Sequence, residues 1–154
     1  MIKSIKKLGK VLFQNLGHQL FFLLYGKING ITKPDKEKKI TIRISNLDNH
    51  NYKVYQVEGG RLYTDTINDT AIILDSKIVE GPSFQLRPVK NADVKDNIVF
   101  KKGTPRIKKK INGNVLSLLT GGAGNSNYWH WMFDVLPRIE LINKILNYNK
   151  IDNF

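Results

Sequence analysis

A glycine-rich stretch between an apolar segment and a helical pattern constrains the fold of this chain more than any other feature. Residues 115–119 form an apolar run that predicts a buried strand, and the small residues 121–124 end it. A helical pattern begins directly afterwards. Strand, glycine-rich turn and helix in this order are how an open α/β sheet builds a ligand cleft at the carboxyl ends of its strands. The sequence therefore predicts a β-loop-α unit with a binding site at its turn.

The predicted helix over 127–138 carries a narrow polar seam. On a helical wheel of about 100° per residue, Asn127, His130, Asp134 and Arg138 fall within a stripe about 80° wide, and the rest of the helix is mostly apolar. A helix of this kind is expected to be buried. The spacing lets His130 meet Asp134 and lets Asp134 meet Arg138. The seam either borders a cleft and touches substrate or forms an internal network, and the spacing leaves both interpretations open.

The residues Asn-Tyr-Trp-His-Trp-Met-Phe-Asp-Val-Leu-Pro-Arg at 127–138 resemble the signature of glycosyltransferase family 61, whose members are often labelled capsular polysaccharide biosynthesis proteins. Members typically show Asn-Tyr/Phe-x-His-Trp, two apolar residues, an acidic residue and x-Leu-Pro-Arg. The similarity runs without a gap and includes the rare residues His, Trp, Pro and Arg.

This resemblance implies an α/β fold that forms the incomplete amino-terminal lobe of a GT-B-like enzyme, in which two Rossmann-like domains enclose the active cleft. It implies transfer of a sugar from a nucleotide-sugar donor to a glycan acceptor in surface or capsular polysaccharide biosynthesis, without a metal or other cofactor. The chain has 154 residues, and one α/β domain takes about 100–200. We therefore expect a truncated protein or one half of a split enzyme, inactive without a carboxy-terminal lobe that binds the nucleotide.

The helix also supplies the candidate catalytic residues, His130 and Asp134. A neutral imidazole is suited to taking a proton from an acceptor hydroxyl near pH 7, and Asp134 would orient it, as Asp orients His in hydrolase triads. The small residues of the turn would let a sugar or phosphate approach the backbone, although the turn lacks the third glycine of a dinucleotide-binding GxGxxG motif. The candidate substrate-binding residues are Gly122, Gly124, Asn125, Asn127, Trp131 and Arg138.

Pro137 lies inside the helical pattern and cannot donate a backbone hydrogen bond. We expect it either to kink the helix near Phe133 or to occupy the first turn of a new helix. The chain has no cysteine, which excludes disulfides and thiolate sites and is compatible with a reducing cytoplasm. The three histidines lie far apart in sequence and predict no metal site.

The net charge of +12 is concentrated in two segments, residues 1–40 and residues 101–112. Residues 1–30 predict a basic amphipathic helix, and we expect residues 2–25 to lie in the interface of an anionic membrane. The alternative is a helix packed on the domain, and the polar interruptions disfavour a spanning or signal segment. We expect a cytoplasmic protein that can attach to the inner face of the cytoplasmic membrane. The alternative function is a non-catalytic peripheral-membrane module, and nucleic-acid binding is disfavoured because the lysines are not interleaved with aromatics.

The middle of the chain predicts a partial domain over 40–154, after a linker over 31–39. The predicted strands follow each other too closely to be all parallel, so we expect an antiparallel or mixed sheet before the β-loop-α unit. Gly59-Gly60 and Asp75-Ser76 predict hairpin turns, and 98–100 predicts a short strand. The basic segment 101–110 predicts either a solvated loop or a rim that attracts a phosphate-bearing substrate. The predicted strands cover residues 40–44, 52–58, 61–64, 71–74 and 77–79.

Overall fold

The computed structural model describes residues 2–47, 49–66, 69–85, 92–118 and 128–146. Helix α1 begins the chain and is followed by seven strands and then by shorter helical segments. The helices are α1 (Ile2–Tyr25), α2 (Val99–Lys102), α3 (Tyr128–His130) and α4 (Leu136–Ile145), with a π-helical segment at Trp131–Val135 and short 3-10 turns at Pro34–Lys36 and Val94–Asp96. The strands are β1 (Gly30–Thr32), β2 (Ile40–Leu47), β3 (His50–Val57), β4 (Arg61–Thr66), β5 (Asp69–Leu74), β6 (Lys77–Val79) and β7 (Phe84–Gln85).

The described strands form two sheets. The larger has the order β1-β6-β5-β4, with β7 added to the end of β5. Strand β1 runs parallel to β6, and the other pairs in this sheet are antiparallel, so the sheet is mixed as expected. The second sheet is the antiparallel hairpin β2-β3, which pairs over its whole length from Ile40 with Val57 to Leu47 with His50. The chain thus combines helices with a mixed sheet, in agreement with the α/β or α+β class.

Strand β5 is the centre of the core because both of its faces are covered. Its residues are almost all buried, which explains why residues 71–74 of this strand are all apolar rather than alternating with polar residues. One cluster packs on one face of the sheet, and a smaller cluster on the other face includes residues of the β2-β3 hairpin. The first cluster contains Ile28, Tyr63, Ala71, Ile73, Ile78, Val94 and Val99, and the second contains Ile40, Leu74 and Val79.

Buried polar groups fasten the short helical segments to this sheet. The Asn97 amide donates hydrogen bonds of 3.3 Å to the carbonyl oxygens of Thr70 and Phe84, and its own oxygen accepts from the Val99 N–H. A carboxylate oxygen of Asp69 accepts from the Ile98 N–H at 3.2 Å. Because unpaired buried polar groups are costly, these contacts fix the position of α2 at the edge of β5 and β7.

Helix α1 ends at Tyr25 because Gly26 has a backbone conformation that favours glycine. Gly26 has φ of 73°, and its N–H donates to the Phe22 carbonyl at 2.9 Å. Beyond it, Ile28 enters the core and Gly30 begins β1. The predicted linker over 31–39 begins too early, since Ile31 and Thr32 belong to strand β1, and it includes the 3-10 turn Pro34–Lys36.

The two predicted hairpin turns have different outcomes. The turn at Asp75-Ser76 is confirmed: β5 and β6 pair directly across it, and both residues have positive φ, as two-residue hairpin turns require. The prediction of a hairpin at Gly59-Gly60 is wrong. A turn is present there, but the strands on its two sides belong to different sheets, because β3 pairs with β2 and β4 pairs with β5.

Two further strand predictions are also wrong. The short strand predicted at 98–100 is instead the start of α2, where the capped turn at Asp93 and the side chain of Asn97 fix helical backbone. Residues 115–118 form no strand apart from a single bridging residue, Val115, and Val115 is exposed. A strand of this composition needs cover on both faces, and the described chain does not bury it. Residue 119 lies outside the described residues.

Among the helices that the structure describes, none combines the length and the apolarity that crossing a lipid bilayer requires.

Candidate functional site

The signature helix is continuous in the chain but changes its hydrogen-bonding register before Pro137. Helix α3 leads directly into the π-helical segment Trp131–Val135, and helix α4 follows. The Leu136 N–H donates to the Trp131 carbonyl, which is a bond across five residues. Pro137 then occupies the first turn of α4, where its missing donor costs nothing. The prediction that Pro137 would lie in the first turn of a new helical segment is therefore confirmed. The change of hydrogen-bonding register takes place in the π-helical segment before it.

His130 and Asp134 form a direct hydrogen bond across one turn of this segment. Imidazole Nδ1 lies 2.6 Å from Oδ2 of Asp134, so the predicted contact is confirmed. The pair is neither sealed in the core nor fully in water, because the two side chains are 35% and 43% exposed. A carboxylate oxygen accepts, so Nδ1 is the donor in this contact, and Nε2 is the ring nitrogen that faces other partners. The arrangement can therefore accept a proton at Nε2 and stabilise the resulting imidazolium.

Arg138, the last residue of the polar seam, interacts electrostatically with Asp134. Burial lowers the pKa of the Arg138 guanidinium, and the nearby Asp134 carboxylate acts in the opposite direction. The residue as a whole still exposes more than a third of its surface. Arg138 is therefore only partly enclosed by the protein, with the Asp134 carboxylate close to its guanidinium.

The prediction that this helix is buried is wrong for most of its surface. Only Val135 and Ile142 are buried, and they lie seven residues apart on one side of the helix, where α4 packs against β2. The helical wheel predicted burial because most side chains of this helix are apolar. Within the described residues, however, only the stripe with Val135 and Ile142 is buried. The large apolar side chains that remain exposed are Tyr128, Trp129, Trp131, Met132, Phe133 and Leu136.

Two of the exposed aromatic residues on this helix contact each other. The rings of Trp129 and Phe133 lie 4.3 Å apart between centroids, within the range in which aromatic pairs attract. Trp131 lies next to His130 in the chain and is also exposed. Exposed aromatic rings and a polar pair, here carried by one helix, are among the groups that ligand sites combine to hold a substrate.

The remaining predicted site residues lie outside the described residues of the chain. These residues are Gly122, Gly124, Asn125 and Asn127, and their contact with a substrate stays a prediction. Within the residues that the structure does describe, no group of three or more His, Cys, Asp or Glu is placed to hold a metal ion.

Sequence reasoning missed that the two basic segments meet. The Lys108 N–H donates to the hydroxyl oxygen of Tyr25 at 3.2 Å, and the Lys108 ammonium lies 4.3 Å from the centre of the Tyr25 ring. The ring of Phe22 lies against Gly103. No local pattern in the sequence predicts contacts between residues so far apart in the chain.

Comparison with models of known protein families, with curated proteins and with solved structures finds no match to this chain.

Proposed function

We propose that this chain is the acceptor-binding portion of a sugar-nucleotide-dependent glycosyltransferase, with His130 as the base that takes the proton from the acceptor hydroxyl. The carrying observation is the 2.6 Å contact between Nδ1 of His130 and Asp134 on a helix that keeps the pair accessible. The twelve-residue resemblance to glycosyltransferase family 61 supports the same assignment. In the proposed reaction the acceptor oxygen attacks the anomeric carbon, the bond to the nucleotide diphosphate breaks, and the hydroxyl proton goes to Nε2 of His130.

Each neighbour of His130 has a distinct role in this proposal. Asp134 keeps the ring in the tautomer that has Nε2 free to accept a proton and stabilises the charged ring afterwards. Trp131 offers an exposed ring to the apolar face of a sugar. Arg138 holds Asp134 or attracts an anionic group of the substrate. A Rossmann-like arrangement around the turn at 121–127, a partner lobe for the nucleotide and a place in capsular polysaccharide biosynthesis belong to the same proposal, and they rest on the resemblance.

Transfer is tested in extracts of cells that make the protein, so that any further polypeptide it needs is present. Incorporation of radiolabel from nucleotide sugars into glycan is measured for the native chain, His130→Ala and Asp134→Asn. We expect His130→Ala to lower incorporation by about 10²- to 10⁴-fold, the usual contribution of a general base. His50→Ala is the matched control, since His50 is an exposed histidine on β3 and lies outside the proposed site. If His130→Ala retains most incorporation, His130 is not the base.

Acceptor binding is tested separately on the purified chain. Saturation-transfer NMR with a panel of neutral oligosaccharides should detect binding that Trp131→Ala abolishes. Trp129→Ala is the matched control, because Trp129 is also exposed and contacts Phe133. Equal binding by the two variants would remove Trp131 from the site, and binding of none of the sugars by the native chain would count against an acceptor lobe.

A further inference from the structure

Arg61, the first residue of β4, carries a half-buried positive charge that no carboxylate in the described part of the chain pairs with. Its guanidinium donates a 3.0 Å hydrogen bond to the hydroxyl oxygen of Thr104, which is 5% exposed. Burial lowers the pKa of the Arg61 guanidinium, because the protein has removed part of its water. A guanidinium has five N–H donors, so one bond to a neutral hydroxyl leaves most of them available to a ligand.

The segment that contacts Arg61 also brings a second positive charge to the same place. Lys108 follows Thr104 by four residues, and its backbone N–H donates to the hydroxyl oxygen of Tyr25 at 3.2 Å. The Lys108 ammonium lies 4.3 Å from the centre of the Tyr25 ring. Tyr25 in turn is close enough to Arg61 for an electrostatic interaction between the two side chains. Arg61, Thr104, Lys108 and Tyr25 therefore form one cluster, which we call the Arg61 cluster, where β4, the segment 103–108 and the end of α1 meet.

The groups of the Arg61 cluster are mainly hydrogen-bond donors. The Tyr25 oxygen accepts from the Lys108 N–H, so its own proton can still be donated to a ligand. The Lys108 ammonium rests on an aromatic ring and the residue is exposed, which leaves its N–H groups accessible. Neither α1 nor the segment 101–112 contains an acidic residue that could neutralise these charges. Such a set of donors matches an oxyanion.

The second positive charge argues against a purely structural role for the cluster. Fastening the segment 103–108 to the sheet requires only the hydrogen bond between Arg61 and Thr104. Placing the Lys108 ammonium beside the same tyrosine adds repulsion between two positive charges, and a bound anion would offset it. Phosphate suits this pair of cations, because arginine binds its oxygens with two parallel N–H groups while lysine acts as a point charge.

We propose that Arg61, Tyr25 and Lys108 form a binding site for a phosphate group. The guanidinium and the ammonium share the charge of the oxyanion, and the Tyr25 hydroxyl donates to one of its oxygens. The site differs from a basic rim along 101–110, because its central cation comes from β4 and Lys109 and Lys110 take no part. The proposal does not depend on sugar transfer by His130, so either proposal can fail without the other.

The test is calorimetric titration of the purified full chain with inorganic phosphate at neutral pH and low ionic strength. The native chain should bind phosphate saturably, and the affinity should fall as salt rises. Arg61→Gln should weaken binding on the order of 10- to 100-fold, since it removes charge-assisted hydrogen bonds. Arg43→Gln is the matched control: Arg43 is exposed on β2, in the other sheet, and its replacement should leave the affinity unchanged.

Two further variants separate this site from the general charge of the segment. Tyr25→Phe keeps the ring beside the Lys108 ammonium and removes only the hydroxyl, and it should weaken phosphate binding by about 3- to 10-fold. The double variant K109Q/K110Q removes two charges from the segment without touching the cluster and should bind phosphate like the native chain.

Thermal unfolding of the same proteins controls for folding. Phosphate should raise the unfolding temperature of the native chain and of Arg43→Gln, because a ligand that binds the folded state stabilises it. It should raise that of Arg61→Gln much less, although this variant unfolds cooperatively without phosphate.

The phosphate group can belong to a soluble molecule or to a lipid head group, and flotation with phosphatidylcholine vesicles that contain phosphatidic acid distinguishes the two. A lipid ligand predicts less flotation of Arg61→Gln than of Arg43→Gln, whereas a soluble ligand predicts equal flotation of both. Absence of saturable phosphate binding by the folded native chain would overturn the proposal. Equal weakening by Arg61→Gln and K109Q/K110Q would also overturn it, because only the total charge would then matter.

Discussion

In the larger sheet, Ala71 and Ile78 are fully buried, whereas Leu23 of α1 and the aromatic residues of the signature helix face outward. Both regions are rich in apolar residues, so composition does not distinguish them. The sheet is covered on one face by α2 and the turn at 94–96 and on the other by the base of the β2-β3 hairpin. The signature helix buries only Val135 and Ile142, and most of the large apolar side chains between residues 11 and 24 of α1 are exposed.

This contrast separates stability from binding. Apolar residues in the sheet contribute to the free energy of unfolding by leaving water. Exposed apolar residues on the helices contribute almost nothing to it and remain accessible to a ligand. Substitutions in the sheet should therefore change stability, while substitutions on the exposed helical faces should change binding alone.

The largest difference is expected between two isoleucines. Ile78→Ala removes fully buried atoms from the centre of the sheet and should lower the free energy of unfolding by about 2–5 kcal/mol. Ile107→Ala makes the same change at an exposed position and should alter it by about 0.5 kcal/mol or less. Urea unfolding followed by far-UV circular dichroism measures both. Similar values for the two variants would contradict the separation of a stabilising sheet from exposed binding surfaces.

Asn97→Ala tests the polar connection between the sheet and α2. It leaves the carbonyls of Thr70 and Phe84 without the amide that binds them, and we expect a loss of about 1–3 kcal/mol in the free energy of unfolding. Asn143→Ala is the control, because Asn143 is exposed on α4. Urea titrations that give the same midpoint for both variants would show that α2 does not depend on the Asn97 amide.

Gly103→Ala tests the contact between the loop and α1. Gly103 has φ of 64° and ψ of −144°, which side chains rarely adopt, and the new Cβ would meet Phe22. The expected cost is about 1–3 kcal/mol in thermal unfolding. Gly17→Ala, in the middle of α1 with open space around it, should instead stabilise the helix by up to about 1 kcal/mol. Changes of the same sign in both variants would refute the contact.

The smallest effect concerns the capped turn at Asp93. Hydrogen bonds from the backbone and side chain of Lys95 hold the pKa of the Asp93 carboxyl below its ordinary value. A lowered pKa stabilises the fold above the ordinary pKa of Asp, and this stabilisation disappears as the pH falls through the pKa of the folded protein. The native chain should therefore lose its stability advantage over Asp93→Asn in acid. An advantage that is constant from neutral to acidic pH in denaturation curves would contradict this.

Local patterns in the sequence predicted local structure well. The four-residue spacing of His130 and Asp134 fixes their contact whatever surrounds the helix, because side chains one turn apart are neighbours. Asp75-Ser76 is flanked by strands that pair directly across it, so the turn alone specifies the hairpin. Pro137 cannot donate a backbone hydrogen bond, so the sequence limited it to a kink near Phe133 or to the first turn of a new helix, and it lies in the first turn of α4.

Predictions that depended on a distant partner were less successful. Gly59-Gly60 specifies a turn, but the partners of β3 and β4 lie elsewhere in the chain. The apolar run at 115–118 and the apolar helix after it were both predicted to be buried, yet burial requires a second surface that composition does not supply. For the same reason the two basic segments appeared to be separate.

The sequence by itself determined the positions of the strands at the core, the polar seam of the signature helix and the basic character of the two segments, because each follows from residues close in the chain. Only the tertiary structure decided that the seam remains accessible, that β3 and β4 belong to different sheets, and that Tyr25 brings Lys108 to the end of α1. Those outcomes depend on which surfaces meet when the chain folds, and that depends on the packing of the whole chain.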